Sequence, residues 1–338
     1  MSKIRYGALS RILLVVLPFI VACVCLGIGR YYITIPDTVR VIFSPLTGTV
    51  QQMDTTQLTI LFNFRLPRII LAMFIGAGLA VSGAAFQGLF ANPLATPDTL
   101  GVASGAAFGA AVALMFGANL IAVQLCALTF GICAIMLTHF ISQQREKNSI
   151  VMVVLSGMVV SSLFQALVSL VKFAADPQDV LPSITYWLMG SLTAVSYARL
   201  ALGLPFITLG MLVIFFLRWR LNIMVLSTDE ARALGVNVKL IRMMIMVAAT
   251  FVTASCVSMC GQVGWVGLLV PHIARMMYGS NNKVVIPVSI SLGAMFMVAI
   301  DTLARSATAA EIPISILTAV IGAPFFIALL RRTGGTQL

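Results

Sequence analysis

Residues 69–90 read IILAMFIGAGLAVSGAAFQGLF, a run in which no side chain carries a charge. About 20 consecutive apolar residues are enough for a helix to cross the hydrocarbon core of a bilayer. The run also contains closely spaced small residues, among them Gly76, Gly78, Ser82 and Gly83. Small residues let helix backbones approach each other closely in lipid. The stretch therefore predicts a membrane-crossing helix that packs tightly against its neighbours.

The rest of the chain has the same composition. Of its 338 residues, 60% are hydrophobic and 9% are charged, and the mean hydropathy is +1.06. A soluble domain carries about 25% charged residues, so this chain cannot cover a water-facing surface. We expect an all-α polytopic membrane protein in which residues 1–338 form a single transmembrane domain.

Ten apolar segments can be marked along the chain, and they predict about ten transmembrane helices. The segments are 12–28, 69–90, 100–116, 120–140, 150–171, 200–217, 243–260, 263–277, 284–303 and 312–330. The eighth is short for a full crossing. The first follows Lys3, Arg5 and Arg11 and resembles a signal peptide, but its length and the spans that follow favour an uncleaved helix.

The positive charge is arranged as membrane topology requires. The net charge is +11, and the basic residues occur in short segments between apolar runs, which argues against a nucleic-acid partner. With ten spans and the N-terminus inside, about two thirds of the 21 basic residues are cytoplasmic. The distribution predicts that both termini are cytoplasmic and that the protein is a multi-pass inner-membrane protein.

Two segments are not simple crossings. In residues 92–98, NPLATPD, Thr96 can cap a helix, Pro97 suits the first helical position, and Asp98 suits the positive helix end. Residues 172–199 are predicted to be an external loop. Its part from Asp176 to Ser191 indicates a short amphipathic helix at the membrane interface.

The residues offer no catalytic site, cofactor site or metal site. The pair Gly-Lys is absent, which excludes an ATP-binding loop of the G-x-x-x-x-G-K-[ST] type. All six cysteines lie within apolar segments, which indicates packing roles rather than disulfides or zinc ligands. His139 and His272 are interpreted as structural, and a membrane-embedded enzyme would lack a candidate catalytic group.

A transporter driven by an ion or proton gradient is the alternative function. Such carriers keep carboxylates near the middle of the membrane. The deepest acidic candidate is Asp301, and Arg305 one turn later predicts a local ion pair. The lack of another mid-membrane carboxylate argues against this alternative.

The cytoplasmic segment at about 219–242 contains the clearest local helix signal. Ser227 and Glu230 match a capping box, Asp229 suits the first turn, and Gly235 suits the position after the last turn. The pattern predicts a two-turn helix that is either a solvated surface helix or a docking helix for a cytosolic partner.

The order of several motifs resembles the iron-chelate and cobalamin uptake permeases, the FecCD-type membrane subunits of type II ABC importers. The similarity extends from about Arg65 to Arg332. The motifs are RLPR at 65–68, GAGLAVSGAAFQGLFANPLATPDTLGV at 76–102, DEARALGV at 229–236, GWVGLLVPHIAR at 264–275, DTLAR at 301–305 and EIPISILTAVIGAPFFIALL at 311–330.

This resemblance implies ten helices, a permease homodimer around a central path, two cytosolic ATPases and a periplasmic or lipid-anchored substrate-binding protein. The cargo would be a metal chelate, with an iron-siderophore expected and haem, cobalamin or molybdate and tungstate possible in the same family. Arg65, Arg68 and Arg305 match positions that receive carboxylates of the binding protein. Arg65 and Arg68 could instead anchor the second helix at the lipid headgroups.

The resemblance also assigns roles on the cytoplasmic side and within the path. Residues 227–235 match the segment that couples to the ATPase, and the matching residues are Ser227, Asp229, Glu230, Arg232, Leu234 and Gly235. The fifth apolar segment would face its symmetry mate. Its polar residues Ser156, Ser161, Gln165 and Ser169 are candidates for the translocation path, with Ser161, Gln165 and Ser169 on one helical stripe. Hydrogen bonding between helices is the alternative explanation.

Overall fold

The computed structural model describes residues 6–31, 33–47, 54–142, 150–193, 195–225, 230–231 and 235–333. Within these residues the fold is entirely helical. The helices are α1 Ala8–Gly27, α2 Ile35–Thr47, α3 Thr55–Leu89, α4 Val102–Met115, α5 Leu120–Ser142, α6 Ile150–Ala174, α7 Val180–Leu188, α8 Tyr197–Leu217, α9 Val238–Cys260, α10 Val266–Tyr278, α11 Asn282–Ser306 and α12 Ile314–Thr333.

All ten apolar segments form helices, which confirms the predicted fold class. Seven helices of the described residues are long and apolar enough to cross a membrane: α1, α3, α5, α6, α8, α9 and α11. The other three helices that correspond to predicted apolar segments, α4, α10 and α12, are shorter or less apolar. The predicted external loop at 172–199 contains the last residues of α6, the short helix α7 and the start of α8.

Two features of the outer side differ from the prediction. The helix that contains residues 69–90 begins at Thr55, where the Asp54 carboxylate accepts a hydrogen bond from the Thr56 backbone at 2.9 Å. Hydropathy missed this extension because polar residues interrupt it before Leu66. The amphipathic helix α2 was missed for a similar reason, since only one of its faces is apolar.

Helix α3 is the centre of the bundle, and its glycines allow backbone contact with two neighbours. A Cβ atom added to Gly76 would lie 2.1 Å from the carbonyl oxygen of Gly293 on α11. A Cβ added to Gly83 would lie 1.9 Å from the carbonyl oxygen of Gly267 on α10. These distances leave no room for any side chain, so the small residues in the opening stretch fix how closely α10 and α11 approach α3.

The glycine repeat at residues 101, 105 and 109 has two roles rather than one. A Cβ on Gly105 or Gly109 would lie 2.6 and 2.3 Å from carbonyl oxygens of α5, which confirms the predicted tight packing. Gly101 is instead the residue before α4, with a φ of 81°. The side chains of most L-residues disfavour this left-handed conformation, which Gly adopts freely.

We predict that Gly83→Ala destabilises the protein by about 2 kcal/mol or more, because overpacking against backbone atoms cannot be relieved by a rotamer change. Gly131→Ala is the matched control, since its Cβ would meet its nearest neighbour at an ordinary 3.4 Å. Thermal unfolding of the two variants in detergent, compared with the parent chain, measures the difference. Equal melting temperatures for both variants would contradict the role of the α3–α10 contact.

Candidate functional site

Helices α4 and α10 begin inside the bundle. They have 14 and 13 residues, so each is about 20 Å long and shorter than the hydrocarbon core of about 30 Å. The non-helical residues before α4 pack against the first half of α6, because a Cβ on Gly157 would lie 2.3 Å from the Thr99 carbonyl oxygen. The residues before α10 reach the same place: a Cβ on Gly264 would lie 3.8 Å from an Asp98 carboxylate oxygen.

The start of α4 differs from the prediction. The helix begins at Val102 after Gly101, not at Pro97 after a Thr96 cap. The Thr96 hydroxyl does accept a hydrogen bond from the Thr99 backbone at 3.2 Å, but this bond closes a separate turn. The Thr99 hydroxyl returns a bond to the Thr96 carbonyl at 3.1 Å. These bonds satisfy polar groups of a non-helical segment, which is tolerated at membrane depth only where it is buried in protein or lines a cavity.

A cavity of about 570 Å³ lies where the two non-helical segments meet. Its wall is formed by α6, α12, the end of α7 and the residues that precede α4 and α10. The lining combines polar and apolar side chains, and more of its surface is apolar than polar. The lining residues are Thr96, Asp98, Thr99, Ser104, Ser161, Gln165, Lys172, Thr185, Leu188, Met189, Gln262, Gly264, Trp265, Leu268, Ser315 and Ala319.

Two of the four predicted path residues line this cavity. Ser161 forms a hydroxyl–hydroxyl hydrogen bond with Ser104 at 2.9 Å, and the Gln165 amide donates to Ser161 at 3.3 Å. Ser169 is exposed and donates to the Gln165 backbone carbonyl at 3.0 Å. Ser156 is buried, and its hydroxyl has no hydrogen-bond partner among the described residues. The structure therefore places Ser161 and Gln165 in the wall and the other two outside it.

Asp98 is a wall residue that the sequence interpretation missed. Its loop lies outside the membrane-spanning helices and packs against the first half of α6. Asp301 is paired at the outer end of α11, whereas Asp98 is the acidic side chain of the cavity wall. Asp98 is half-buried, and desolvation raises the pKa of its carboxyl to about 6.

Trp265, the residue before α10, joins the cavity to α12. Its φ of 70° is unusual for a residue with a bulky side chain. A Cβ on Gly322 would lie 2.8 Å from the Trp265 ring, so the ring packs directly on the backbone of α12. Such strained backbone positions often occur at functional sites. The sequence of the GWVGLL motif does not predict the positive φ of Trp265 or its contact with α12.

The three predicted docking arginines lie together at the outer end of the bundle. Arg68 donates through Nε to Asp301 at 2.9 Å and through Nη1 and Nη2 to both oxygens of Glu311 at 3.0 and 2.8 Å. Asp301 also pairs with Arg305 at 3.8 Å, which confirms the predicted local ion pair. The cluster brings together α3, α11 and the residues before α12, a connection that the sequence did not reveal.

Arg65 and Arg305 are turned toward the protein rather than toward solvent. They are 6% and 8% exposed. Arg65 donates to the carbonyl oxygens of Leu26 at 2.6 Å and of Tyr31, and Arg305 donates to that of Cys25 at 2.5 Å. They cap the carboxyl end of α1, where cations are favourable. The most accessible carboxylate of the cluster is Glu311, whose side chain is 30% exposed.

The predicted coupling helix is described only in part. Ser227, Asp229, Arg232 and Leu234 lie outside the described residues. Glu230 is exposed, and Ala231 is 1% exposed and accepts a backbone hydrogen bond from Val236 at 3.2 Å. Gly235 has a φ of 73°, the left-handed conformation expected after a helix end.

Broken helices that meet at an intramembrane cavity are a feature of membrane transporters. Among the described residues, no group of three or more His, Cys, Asp and Glu side chains could hold a metal ion. The fold and the cavity together define a multi-pass transport protein.

The comparisons with known proteins identify the family. The model of the FecCD transport family matches residues 14–332. The molybdate import system permease protein MolB of Haemophilus influenzae is 40% identical, over 98% of this chain and 96% of that protein. A probable iron chelatin transport system permease protein of Helicobacter pylori is 38% identical, over 82% of this chain and 83% of that protein. A solved structure of a metal-chelate-type ABC transporter in an inward-facing conformation has a TM-score of 0.86 at 39% identity, over 96% of this chain and 100% of that one.

The chain belongs to the FecCD transport family. It is the membrane-spanning, non-catalytic permease subunit of an ABC importer, and ATP hydrolysis is the task of partner ATPases. This membership, rather than the distribution of carboxylates, excludes the gradient-driven carrier.

Proposed function

We propose that this permease carries a metal chelate, of the iron-siderophore class, across the inner membrane by alternating access. The observation that carries the proposal is the cavity of about 570 Å³, a volume typical of sites for drug-sized organic ligands. Haem and cobalamin are metal chelates of the same general kind. A path for a bare tetrahedral oxyanion such as molybdate would be expected to be narrower.

The relatives leave both cargo classes open. One similar protein is a molybdate permease and another is a probable iron chelatin permease, at nearly equal identity. The wall carries few charges and presents both polar and apolar surface, which favours an organic chelate with carbonyl, hydroxyl and apolar groups. A weakly binding wall also suits an importer whose high-affinity site lies in a separate binding protein.

We expect radiolabelled ferric hydroxamate to enter proteoliposomes that contain the permease, its ATPase and its binding protein, and to do so only when ATP is supplied. Molybdate uptake under the same conditions is expected to stay at the level of protein-free vesicles. The reverse pattern would identify an oxyanion importer and overturn the chelate assignment.

We further propose that two copies of the chain pair through α6 to enclose the path. The exposed face of α6 carries large apolar residues such as Met158 and Leu163, but also the polar residues Ser162, Gln165 and Ser169. Contact of these polar groups with lipid would be unfavourable, whereas a second copy would cover them.

Single cysteines at positions 162, 165 and 169 test this pairing, each in a chain whose six native cysteines are replaced by serine or alanine. At least one of them should form a covalent dimer upon oxidation in native membranes. A cysteine at Phe19 of α1, which is 61% exposed, is the control and should remain monomeric. Cross-linking at Phe19 alone would contradict pairing through α6.

We propose that the substrate-binding protein docks at the outer cluster of Arg65, Arg68 and Arg305. The burial of Arg65 and Arg305 adds a condition to this proposal. An incoming carboxylate must displace Glu311 from Arg68, because Arg68 already bonds both oxygens of Glu311. Glu311 is thus a competitor for docking, and Asp301 is the constant partner of the cluster.

Removal of the competing charge should strengthen docking. We predict that Glu311→Gln lowers the Kd for the binding protein about fivefold, which corresponds to about 1 kcal/mol for one exposed ion pair. Asp176→Asn, which neutralises an exposed carboxylate elsewhere on the outer side, is the matched control and should leave the Kd unchanged. Surface plasmon resonance with the permease complex in nanodiscs measures both values. Weaker or unchanged binding by the Glu311 variant would exclude competition.

For the cytoplasmic side we propose that residues 227–235 dock into the partner ATPase and transmit its closure to α8 and α9. The segment lies between these two helices in the chain, since α8 ends at Leu217 and α9 begins at Val238, three residues after Gly235. The exposed Glu230 and the helix-ending conformation of Gly235 support a surface helix here.

We predict that Leu234→Asp uncouples the transporter because it places a charge in the expected contact with the ATPase. ATP hydrolysis by the assembled complex should continue while chelate uptake falls by an order of magnitude or more. Lys239→Gln, a change at an exposed position in the first turn of α9, should retain both activities. Uptake by the Leu234 variant at the parental rate would refute the coupling role.

A further inference from the structure

The Asp98 carboxylate faces the cavity without a partner. Other acidic residues are engaged: Asp54 and Asp176 accept hydrogen bonds from backbone N–H groups, and Asp301 and Glu311 bind Arg68. The Asp98 side chain makes no hydrogen bond or ion pair with any described residue. Its backbone carbonyl, not its carboxylate, accepts the bond from Gly101 at 3.3 Å. Asp98 therefore neither caps α4 nor takes part in a structural ion pair.

Asp98 is the acidic side chain of the cavity wall, and its ionised carboxylate gives the wall a negative charge. Lys172 is the other charged side chain of the wall, but it lies 11 residues after Ser161 on α6, which corresponds to about 16 Å along the helix. The inner part of the cavity is thus negative, and Lys172 lies toward its outer end.

The helix ends around Asp98 would have the opposite effect on their own. Helices α4 and α10 both begin at this part of the cavity, and the N-terminal end of a helix attracts anions. A wall without Asp98 would therefore favour anionic cargo. The carboxylate of Asp98 opposes this preference.

We propose that Asp98 is the charge-selecting residue of the path, which admits neutral or cationic chelates and slows free oxyanions. This inference rests on the proposed function, in that the cavity is taken as part of the translocation path. Fixed charge in a cavity with low-dielectric walls raises the local concentration of ions of opposite sign. The same effect lowers the concentration of ions of like sign.

A cysteine reporter in the wall tests this proposal without any transport. Ala319 lines the same cavity from α12, and Ala319→Cys adds only a thiol. In the full-length permease assembled with its ATPase, and with the native cysteines replaced, the reporter is modified by a cationic and by an anionic methanethiosulfonate of similar size. The ratio of the two rates, each normalised to a free thiol, measures the local potential.

We expect the cationic reagent to react faster in the parent background. Asp98→Asn should lower the cation-to-anion ratio by at least about fivefold, because a unit charge within about 10 Å acts at an effective dielectric constant near 20. Asp98→Glu should retain the ratio, and Lys172→Gln should raise it. A ratio that Asp98→Asn leaves unchanged would overturn the proposal, as would an equal loss in the Asp98→Glu variant.

Uptake assays on the same variants separate this inference from the proposed function. Faster molybdate entry in the Asp98→Asn complex, with ferric hydroxamate uptake unchanged or slower, would support charge selection in transport. If the reporter ratio shifts as expected while the parent complex carries no chelate, the chelate assignment fails and the charge of the cavity stands.

Discussion

The direct contact between helix backbones at Gly83 and Gly267 is the constraint on which the cavity depends. It brings the first turn of α10 against the last third of α3, so α10 starts within the bundle and not at its outer edge. The residues that precede α10 must then descend from the end of α9 through the protein. They meet the loop before α4, and the two non-helical segments bring polar side chains into the wall of the cavity. A side chain at Gly83 would separate α10 from α3 and disturb this meeting point.

The charged side chains in the outer half of the bundle are arranged so that each buried carboxylate is paired with arginine. Asp301 is fully buried and is shared by Arg68 and Arg305, and Arg68 extends the cluster to Glu311. A buried charge is stable only when it is paired and hydrogen-bonded. This pairing ties α3, α11 and the start of α12 together. Arg65 is outside the pairing and is buried against carbonyl oxygens at the end of α1. A partner that binds Arg68 or Arg305 has to exchange with an internal carboxylate, and Glu311 is the one most accessible to solvent.

The distribution of function follows from these two arrangements. The permease has neither an ATP site nor a cluster of metal ligands within its described residues, and its wall offers weak polar contacts. Specific charges occur at the outer cluster and at Asp98. The helix α12 links the two regions, because Glu311 lies just before it, and Ser315 and Ala319 on its first turns line the cavity. The Trp265 ring packs on the same helix at Gly322. A shift of α12 would therefore move residues of both the outer cluster and the cavity wall.

The sequence by itself determined the class of fold, the ten helical segments and the small residues that pack them, because hydropathy and residue size act locally along a helix. It also predicted the Asp301–Arg305 pair, which lies one turn apart. The tertiary structure alone decided which charges meet and which face the cavity. Arg68 and Asp301 are 233 residues apart, and no local pattern indicates their contact. The sequence pattern around Asp98 predicts only a residue at the start of a helix. The packing of α4 and α10 places it in the wall of the cavity. The physical reason is that burial and charge pairing depend on neighbours brought together by helix packing, and these neighbours are distant in sequence.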